Sequence, residues 1–240
     1  MLRTKHVLFD IEGTTTSISF VHETLFPYVR AHIRAHVEAN WATLASSSLL
    51  RDLAAADSDC AVDSVDAVVA CVARLMDADR KVTPLKSLQG DIWRDAYERG
   101  AVKGHIYEDV VPALERIKDR FKLPMSIYSS GSVAAQKLLF GFSCQGDLLP
   151  WFTAHFDTAN AGSKVESASY EVIARELGLA PSELLFVTDN IAEAEAAAQV
   201  GVRCVLSVRP GTAPLPADAA ARFPIVSSFD ALDSHIVTLT

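Results

Sequence analysis

Four short apolar runs, each closing on a small or acidic polar residue, constrain the fold of this chain most. They are His6-Val7-Leu8-Phe9-Asp10, Met125-Ser126-Ile127-Tyr128-Ser129, Leu184-Leu185-Phe186-Val187-Thr188-Asp189 and Arg203-Cys204-Val205-Leu206-Ser207. Runs this short and this continuous suit strands buried on both faces of a parallel sheet. Ala154-His155-Phe156-Asp157 is a weaker fifth candidate and Pro224-Ile225-Val226 a candidate edge strand. Helical patterns fill the intervals, over 108–120, 131–141, 165–178 and 191–200. Strands alternating with helices predict a doubly wound α/β core.

The stretch 21–105 breaks the alternation. Its apolar residues recur at helical spacing, as in Leu25, Val29, Ile33 and Val37, and no convincing strand interrupts them. It is expected to be an all-helical cap inserted after the first strand, with 1–20 and 106–240 forming the catalytic core. Ala, Asp and Ser enrich 42–66, which suggests a helical piece with a solvated loop. The segment from Arg209 to Pro216 carries prolines and is expected to be a surface loop.

Composition narrows the function classes. Half the residues are apolar and 22% charged, enough for a sizeable core. A net charge of −8 argues against a nucleic-acid partner, because binding a phosphate backbone needs a basic face. No apolar run approaches a membrane span, and the N-terminal residues run straight into a strand rather than a signal-peptide core. The four cysteines Cys60, Cys71, Cys144 and Cys204 are scattered without a CxxC pair, and are expected to be reduced thiols in a cytoplasmic protein.

In open α/β sheets, ligands bind beyond the carboxyl ends of the strands. Here those ends offer Asp10 and Glu12, then Ser129 and Ser130, then Asp189, with Glu193 one turn later. Lys164 follows Gly162-Ser163 where another helix is expected to open. Hydrolysis of a phosphomonoester needs charge neutralisation, in-line positioning and a nucleophile better than bulk water. Asp10 can attack phosphorus, and Glu12 can serve as the acid and base around the aspartyl-phosphate. Carboxylates near a phosphate call for a hard cation, and Mg²⁺ takes one or two carboxylates with phosphate and waters; Asp189 is the natural second ligand. Ser129, Ser130 and the backbone around Gly131 offer donors to an anion, and Lys164 adds a compact positive charge. Alone, each has a plainer role: Asp10, Ser129, Ser130 and Asp189 as helix caps, Lys164 as a solvated side chain. Together, in order and at strand ends, they form a candidate site. His32 and His36 have a zinc-compatible spacing but no third ligand, and Trp93 and Tyr97 share a helical face suited to packing.

These residues resemble the four-part signature of the haloacid dehalogenase-like phosphohydrolases, whose core is Rossmann-type. Asp10-Ile11-Glu12-Gly13-Thr14-Thr15-Thr16 departs from the commonest form in having Glu where most members carry Asp. The run continuing to Tyr28 resembles the enolase-phosphatase family of methionine salvage. So do Leu88-Gln89-Gly90, Trp93-Arg94, Tyr128-Ser129-Ser130-Gly131-Ser132, and the stretch from Gly162 through Lys164 to Tyr170. The resemblance implies enolisation and then dephosphorylation of 2,3-diketo-5-methylthiopentyl-1-phosphate to the acireductone, by a monomer with one Mg²⁺ per subunit. Asp10, Glu12 and Asp189 match the metal positions, and Ser129, Ser130 and Lys164 the substrate-phosphate positions. Glu12 binds metal through either its carbonyl or its side chain, and the enolisation base is to be sought in the cap or in 17–24. Alternatives are another small-molecule phosphatase or phosphomutase of the superfamily, or a phospho-accepting receiver-like domain. Against the last stand Glu12 and the long insertion.

Overall fold

The computed structural model describes residues 3–237. Strand β1 (His6–Phe9) is followed by a short turn α1 (Ile18–Phe20) and a π-helical turn (Val21–Leu25). Helices α2 (Phe26–Ser46), α3 (Ser48–Ala56), α4 (Val65–Asp77) and α5 (Thr83–Glu98) come next. Then α6 (Val110–Asp119), β2 (Met125–Tyr128), α7 (Val133–Gly141), β3 (Phe152–Phe156), α8 (Ser167–Glu176) and β4 (Leu184–Thr188) alternate. The chain closes with α9 (Ile191–Gln199), β5 (Arg203–Ser207), α10 (Ala219–Arg222), β6 (Ile225–Val226) and a 3₁₀ segment, Phe229–His235. It divides into two compact units, Met1–Phe20 with Lys103–Thr240, and Val21–Val102.

The first unit is built on one six-stranded sheet of order β3-β2-β1-β4-β5-β6, with every neighbouring pair parallel. All four apolar runs are strands in it. β1, β2 and β4 are buried at every position, as strands covered on both faces must be, while edge strand β3 exposes its middle. Leu8, Tyr128, Tyr170, Phe186, Ala194 and Leu206 pack in one apolar layer of this unit. The order reverses between β1 and β4, and that switch point is where a doubly wound sheet leaves a crevice.

The second unit is helical, with Val29, Ile33 and Val37 of α2 buried at the spacing that forecast the helix. The polar-rich middle is more ordered than expected: α2 and α3 carry helix as far as Ala56, and the loop is confined to 57–64. Ser47 makes the break, its hydroxyl accepting from Leu49 N at 3.2 Å to cap α3. Tyr97 is buried, and Trp93 Nε1 donates to the Leu25 carbonyl at 3.0 Å, so Trp93 packs within the unit. His32 Nδ1 meets the Tyr28 carbonyl at 2.9 Å and its ring stacks on Tyr28, so it is engaged locally rather than directed at a metal.

The expectation of four reduced thiols is corrected. Cys60 and Cys71 form a disulfide with Cα atoms 5.0 Å apart; Cys144 is exposed and Cys204 buried as free thiols. The 57–64 loop turns Cys60 back onto α4, a tertiary proximity that a separation of 11 residues does not announce.

Candidate active site

Phe9 pairs with Val187, and Asp10 N extends the ladder by donating to the Val187 carbonyl at 2.9 Å. Asp10 and Thr188 therefore leave the sheet side by side at the switch point. Asp10 is 5% exposed, and its Oδ1 accepts from Ile11 N at 2.7 Å, which fixes the carboxylate's rotation. The loop behind it is tight, because the backbone N–H groups of Thr14, Thr15 and Thr16 all donate to the Ile11 carbonyl. Gly13 makes the turn with φ +70°, and a Cβ there would stand 2.3 Å from Asp189 Oδ2 and 2.9 Å from Thr212 Cγ2. The Asp189 carboxylate is thus seated against the Asp10–Thr16 loop.

Lys164 is the site's cation. The sequence places it at the start of a helix; in the structure α8 begins only at Ser167, and Lys164 sits in the turn before it. Tyr170 Oη donates to the Lys164 carbonyl at 2.6 Å, and Ser169 Oγ to the Ser163 carbonyl at 2.7 Å. These bonds hold the turn off the helix and send the side chain inward. The ammonium lies 2.6 Å from Asp10 Oδ1 and 2.7 Å from Glu193 Oε2, with only 8% of the side chain exposed. Burial alone would lower its pKa; the charges of Asp10 and Glu193 outweigh that and hold it above the ordinary lysine value. Glu193, whose role the sequence left open, also accepts from Thr188 Oγ1 at 2.7 Å.

One lysine faces too much negative charge. Burial first, and then Asp10, push Glu193 up to about 7, and the same two causes push Asp189 up to about 7. A surplus of carboxylate at one strand edge suits a hard cation. Among the described residues no three His, Cys, Asp or Glu side chains form a ready cage. Mg²⁺ asks for less, one or two carboxylates completed by carbonyl, water and phosphate oxygens, and the neighbouring carboxylates of Asp10 and Asp189 fit that demand.

The serine segment is corrected in detail. Ser129 extends β2, its N–H donating to the Phe156 carbonyl at 3.1 Å, and is buried, whereas Ser130 is exposed. The helix expected to open at 131 opens at Val133, because Ser132 rather than Ser129 or Ser130 caps it, accepting from Ala135 N at 3.3 Å. Ser129 Oγ instead accepts from Gly131 N at 3.3 Å. Asp157, which the sequence reading passed over, takes the Val133 N–H at 2.9 Å; its signal was its place at the end of the weak fifth run.

Two further residues emerge only in three dimensions. His105 Nδ1 accepts from Ser17 N at 3.0 Å and pairs with Thr16 Oγ1 at 3.1 Å, tying off the loop that begins at Asp10. Arg209, expected on a surface loop, is 7% exposed and paired with Asp109 at 2.7 Å.

Gly13→Ala should show how much this packing matters. The left-handed turn alone costs a Cβ-bearing residue about 1–2 kcal/mol, and the new methyl must displace the Asp189 carboxylate. A misplacement of that size costs catalysis on the order of a hundredfold. Melting and phosphate-release kinetics at wild-type values would show that Gly13 does not set the position of Asp189.

A family model described as haloacid dehalogenase-like hydrolase matches residues 4–201. The chain is 46% identical to enolase-phosphatase E1 of Naegleria gruberi, over 95% of each chain. It is 44% identical to enolase-phosphatase E1 of Danio rerio, over 96% of this chain and 95% of that one. Among solved structures, the UTR4 protein of Saccharomyces cerevisiae superposes with a TM-score of 0.79 at 35% identity, covering 95% of this chain and 100% of that one. The strand-edge carboxylates, the buried lysine and these likenesses agree: the chain belongs to the haloacid dehalogenase-like hydrolases and, within them, to the enolase-phosphatase E1 family.

Proposed function

We propose that this protein enolises 2,3-diketo-5-methylthiopentyl-1-phosphate and then removes its phosphate, yielding the acireductone, with Asp10 as nucleophile and one Mg²⁺ per subunit. The observation that carries this reading is the Asp10–Lys164–Glu193 chain at the switch point, with Asp189 beside it. Lys164 holds the Asp10 carboxylate in place through its 2.6 Å contact, and an attacking carboxylate must be aimed. Ser129, Ser130 and Lys164 are the proposed phosphate contacts. Asp10, Glu12 and Asp189 would hold the ion, which when bound neutralises phosphate charge as it develops. Glu12 would protonate the leaving oxygen and then activate water on the aspartyl-phosphate. The helical unit is proposed as the cap, and it or the segment 17–24 as the source of the enolisation base.

Among the described residues no helix is long and apolar enough to cross a membrane. A cytoplasmic monomer acting on a small phosphorylated molecule is part of the same proposal. The Cys60–Cys71 bond is the feature that weighs against that compartment, which keeps thiols reduced.

Following enol absorbance and phosphate release from the diketo-phosphate, with and without Mg²⁺, tests the reading. An enol that appears and then decays as phosphate is released, both needing metal, is expected. Release from simple esters with no action on the diketone would reduce the reading to a general phosphatase of the family.

The raised pKa of Asp189 adds a prediction. Its carboxyl is protonated below about 7 in the metal-free protein, and a protonated carboxyl holds no cation. Mg²⁺ affinity should fall as pH drops through 7, and binding near neutrality should release protons. The acid's folded pKa lies above its unfolded one, so this group removes stability from the metal-free protein as pH rises from the ordinary carboxylate range to about 7. Calorimetric Mg²⁺ titrations in buffers of different ionisation enthalpy would measure the protons; none released at pH 7 would contradict the assignment.

A further inference from the structure

The guanidinium of Arg209 joins three stretches of the sheet unit that are distant from it in sequence, around Thr14, Asp109 and Ser227. Its Nη1 contacts Asp109 Oδ2 at 2.7 Å, at the head of α6, and the Ser227 carbonyl at 3.3 Å, just past β6. Its Nε donates to the Thr14 carbonyl at 3.3 Å, inside the nucleophile loop. Its own backbone N–H meets Thr212 Oγ1 at 3.3 Å, curling the segment after β5 so that Thr212 packs against Gly13. The planar head lies between two rings, 4.6 Å from the centroid of Tyr107 and 4.7 Å from that of Phe229. Asp109 is shared in turn with Phe229 N at 2.7 Å, so the pair is fixed at both ends. A side chain this enclosed could serve stability alone. Its reach to the Thr14 carbonyl is what points further, because Thr14 follows the glycine whose turn seats Asp189.

We propose that Arg209 is a positioning residue for the active site: through the Thr14 carbonyl and the Thr212–Gly13 contact it holds the Asp10–Thr16 loop at the spacing from Asp189 that the metal ion requires. The proposal rests on the metal reading of this site. A lysine cannot reproduce it, since an ammonium is a point charge without the planar fork that faces a carboxylate and carbonyls in fixed directions. Loosening the loop should weaken the ion's site and the attack geometry while leaving the distant parts of substrate binding alone.

Arg209→Lys and Arg209→Met test this, with Mg²⁺ affinity of the substrate-free protein read by calorimetry beside kcat, KM and melting temperature. For Arg209→Met the expected result is at least a tenfold weaker Mg²⁺ affinity and a kcat lowered by tenfold or more, with KM within about threefold. Arg209→Lys should remain folded and show both losses in milder form. Either folded variant with wild-type Mg²⁺ affinity and kcat would overturn the proposal, leaving Arg209 a purely structural residue. If Arg209→Met does not fold, Arg209→Lys alone decides by the same criteria. Wild-type protein that takes up no Mg²⁺ would overturn the metal reading, and this assignment with it. Wild-type protein that binds the ion beside variants that bind it equally well would overturn this assignment alone.

Discussion

Asp10→Asn should lower phosphate release by at least about a thousandfold while leaving the protein folded. An amide cannot attack phosphorus as a carboxylate does, and loss of a nucleophile is among the costliest single changes an enzyme can suffer. The fold should tolerate it for a local reason. The asparagine oxygen can still accept from Ile11 N and face Lys164, as Asp10 Oδ1 does. Its NH₂ would then take the place of Oδ2, which receives a long 3.4 Å contact from Thr188 Oγ1, while that hydroxyl keeps its 2.7 Å bond to Glu193. Enolisation should stay measurable at saturating Mg²⁺, which Asp189 would still help to hold, since its proton transfer needs a base elsewhere. Two assays on one sample, enol absorbance and phosphate release, separate the half-reactions. Phosphate turnover within tenfold of wild type would remove Asp10 from the nucleophile's role.

Lys164→Met should be costly in both stability and catalysis. It removes the one cation seen between Asp10 and Glu193, leaving two buried carboxylates to face each other. Breaking a buried pair from one side costs about 3–5 kcal/mol, because the remaining charge keeps its desolvation penalty. The loss should depend on pH in a definite direction. Glu193 already titrates near 7 with the lysine present, and without it the carboxyl is pushed higher still. At pH 6 Glu193 is then neutral and much of the penalty disappears; as pH rises past 7 the carboxyl must ionise and the penalty grows. Urea unfolding of the metal-free variant at the two pH values should give a clearly smaller stability loss at pH 6. Equal losses would mean that the lysine's charge is not what the carboxylates need. Phosphate release should fall on the order of a hundredfold or more even where the variant is folded, as Asp10 loses the contact that aims it.

Glu193 shows how reading and structure divide the work. As a sequence position it is a glutamate in the first turn of α9, equally suited to helix formation or to chemistry. Its role follows only from Thr188 and Lys164 reaching the same carboxylate from different elements. Lys164 teaches the same lesson, since most lysines are solvated and nothing in its neighbours says that Tyr170 and Ser169 will turn it inward. Arg209 is the strongest case. A stretch rich in proline and glycine looks like surface loop in any sequence, and an arginine beside it looks like surface charge. The burial comes from Tyr107, Asp109 and Phe229, two short stretches about a hundred residues before it and twenty after.

What the sequence determined by itself was the sheet and its chemical edge. Doubly covered parallel strands must be apolar throughout, so β1, β2, β4 and β5 stand out without any partner being known. Residues at their carboxyl ends fall on one edge by direction alone, which brings Asp10, Ser129 and Asp189 together before any distance is measured. Helical periodicity likewise marked α2, whose Val29, Ile33 and Val37 are buried. Only the tertiary structure decided the strand order that puts Asp10 beside Thr188, the inward turn of Lys164, the Cys60–Cys71 bond and the clasp of Arg209. Each of these is a contact between side chains that lie far apart in sequence or across a loop. Periodicity reports which face of an element is buried, but not which other element will cover it.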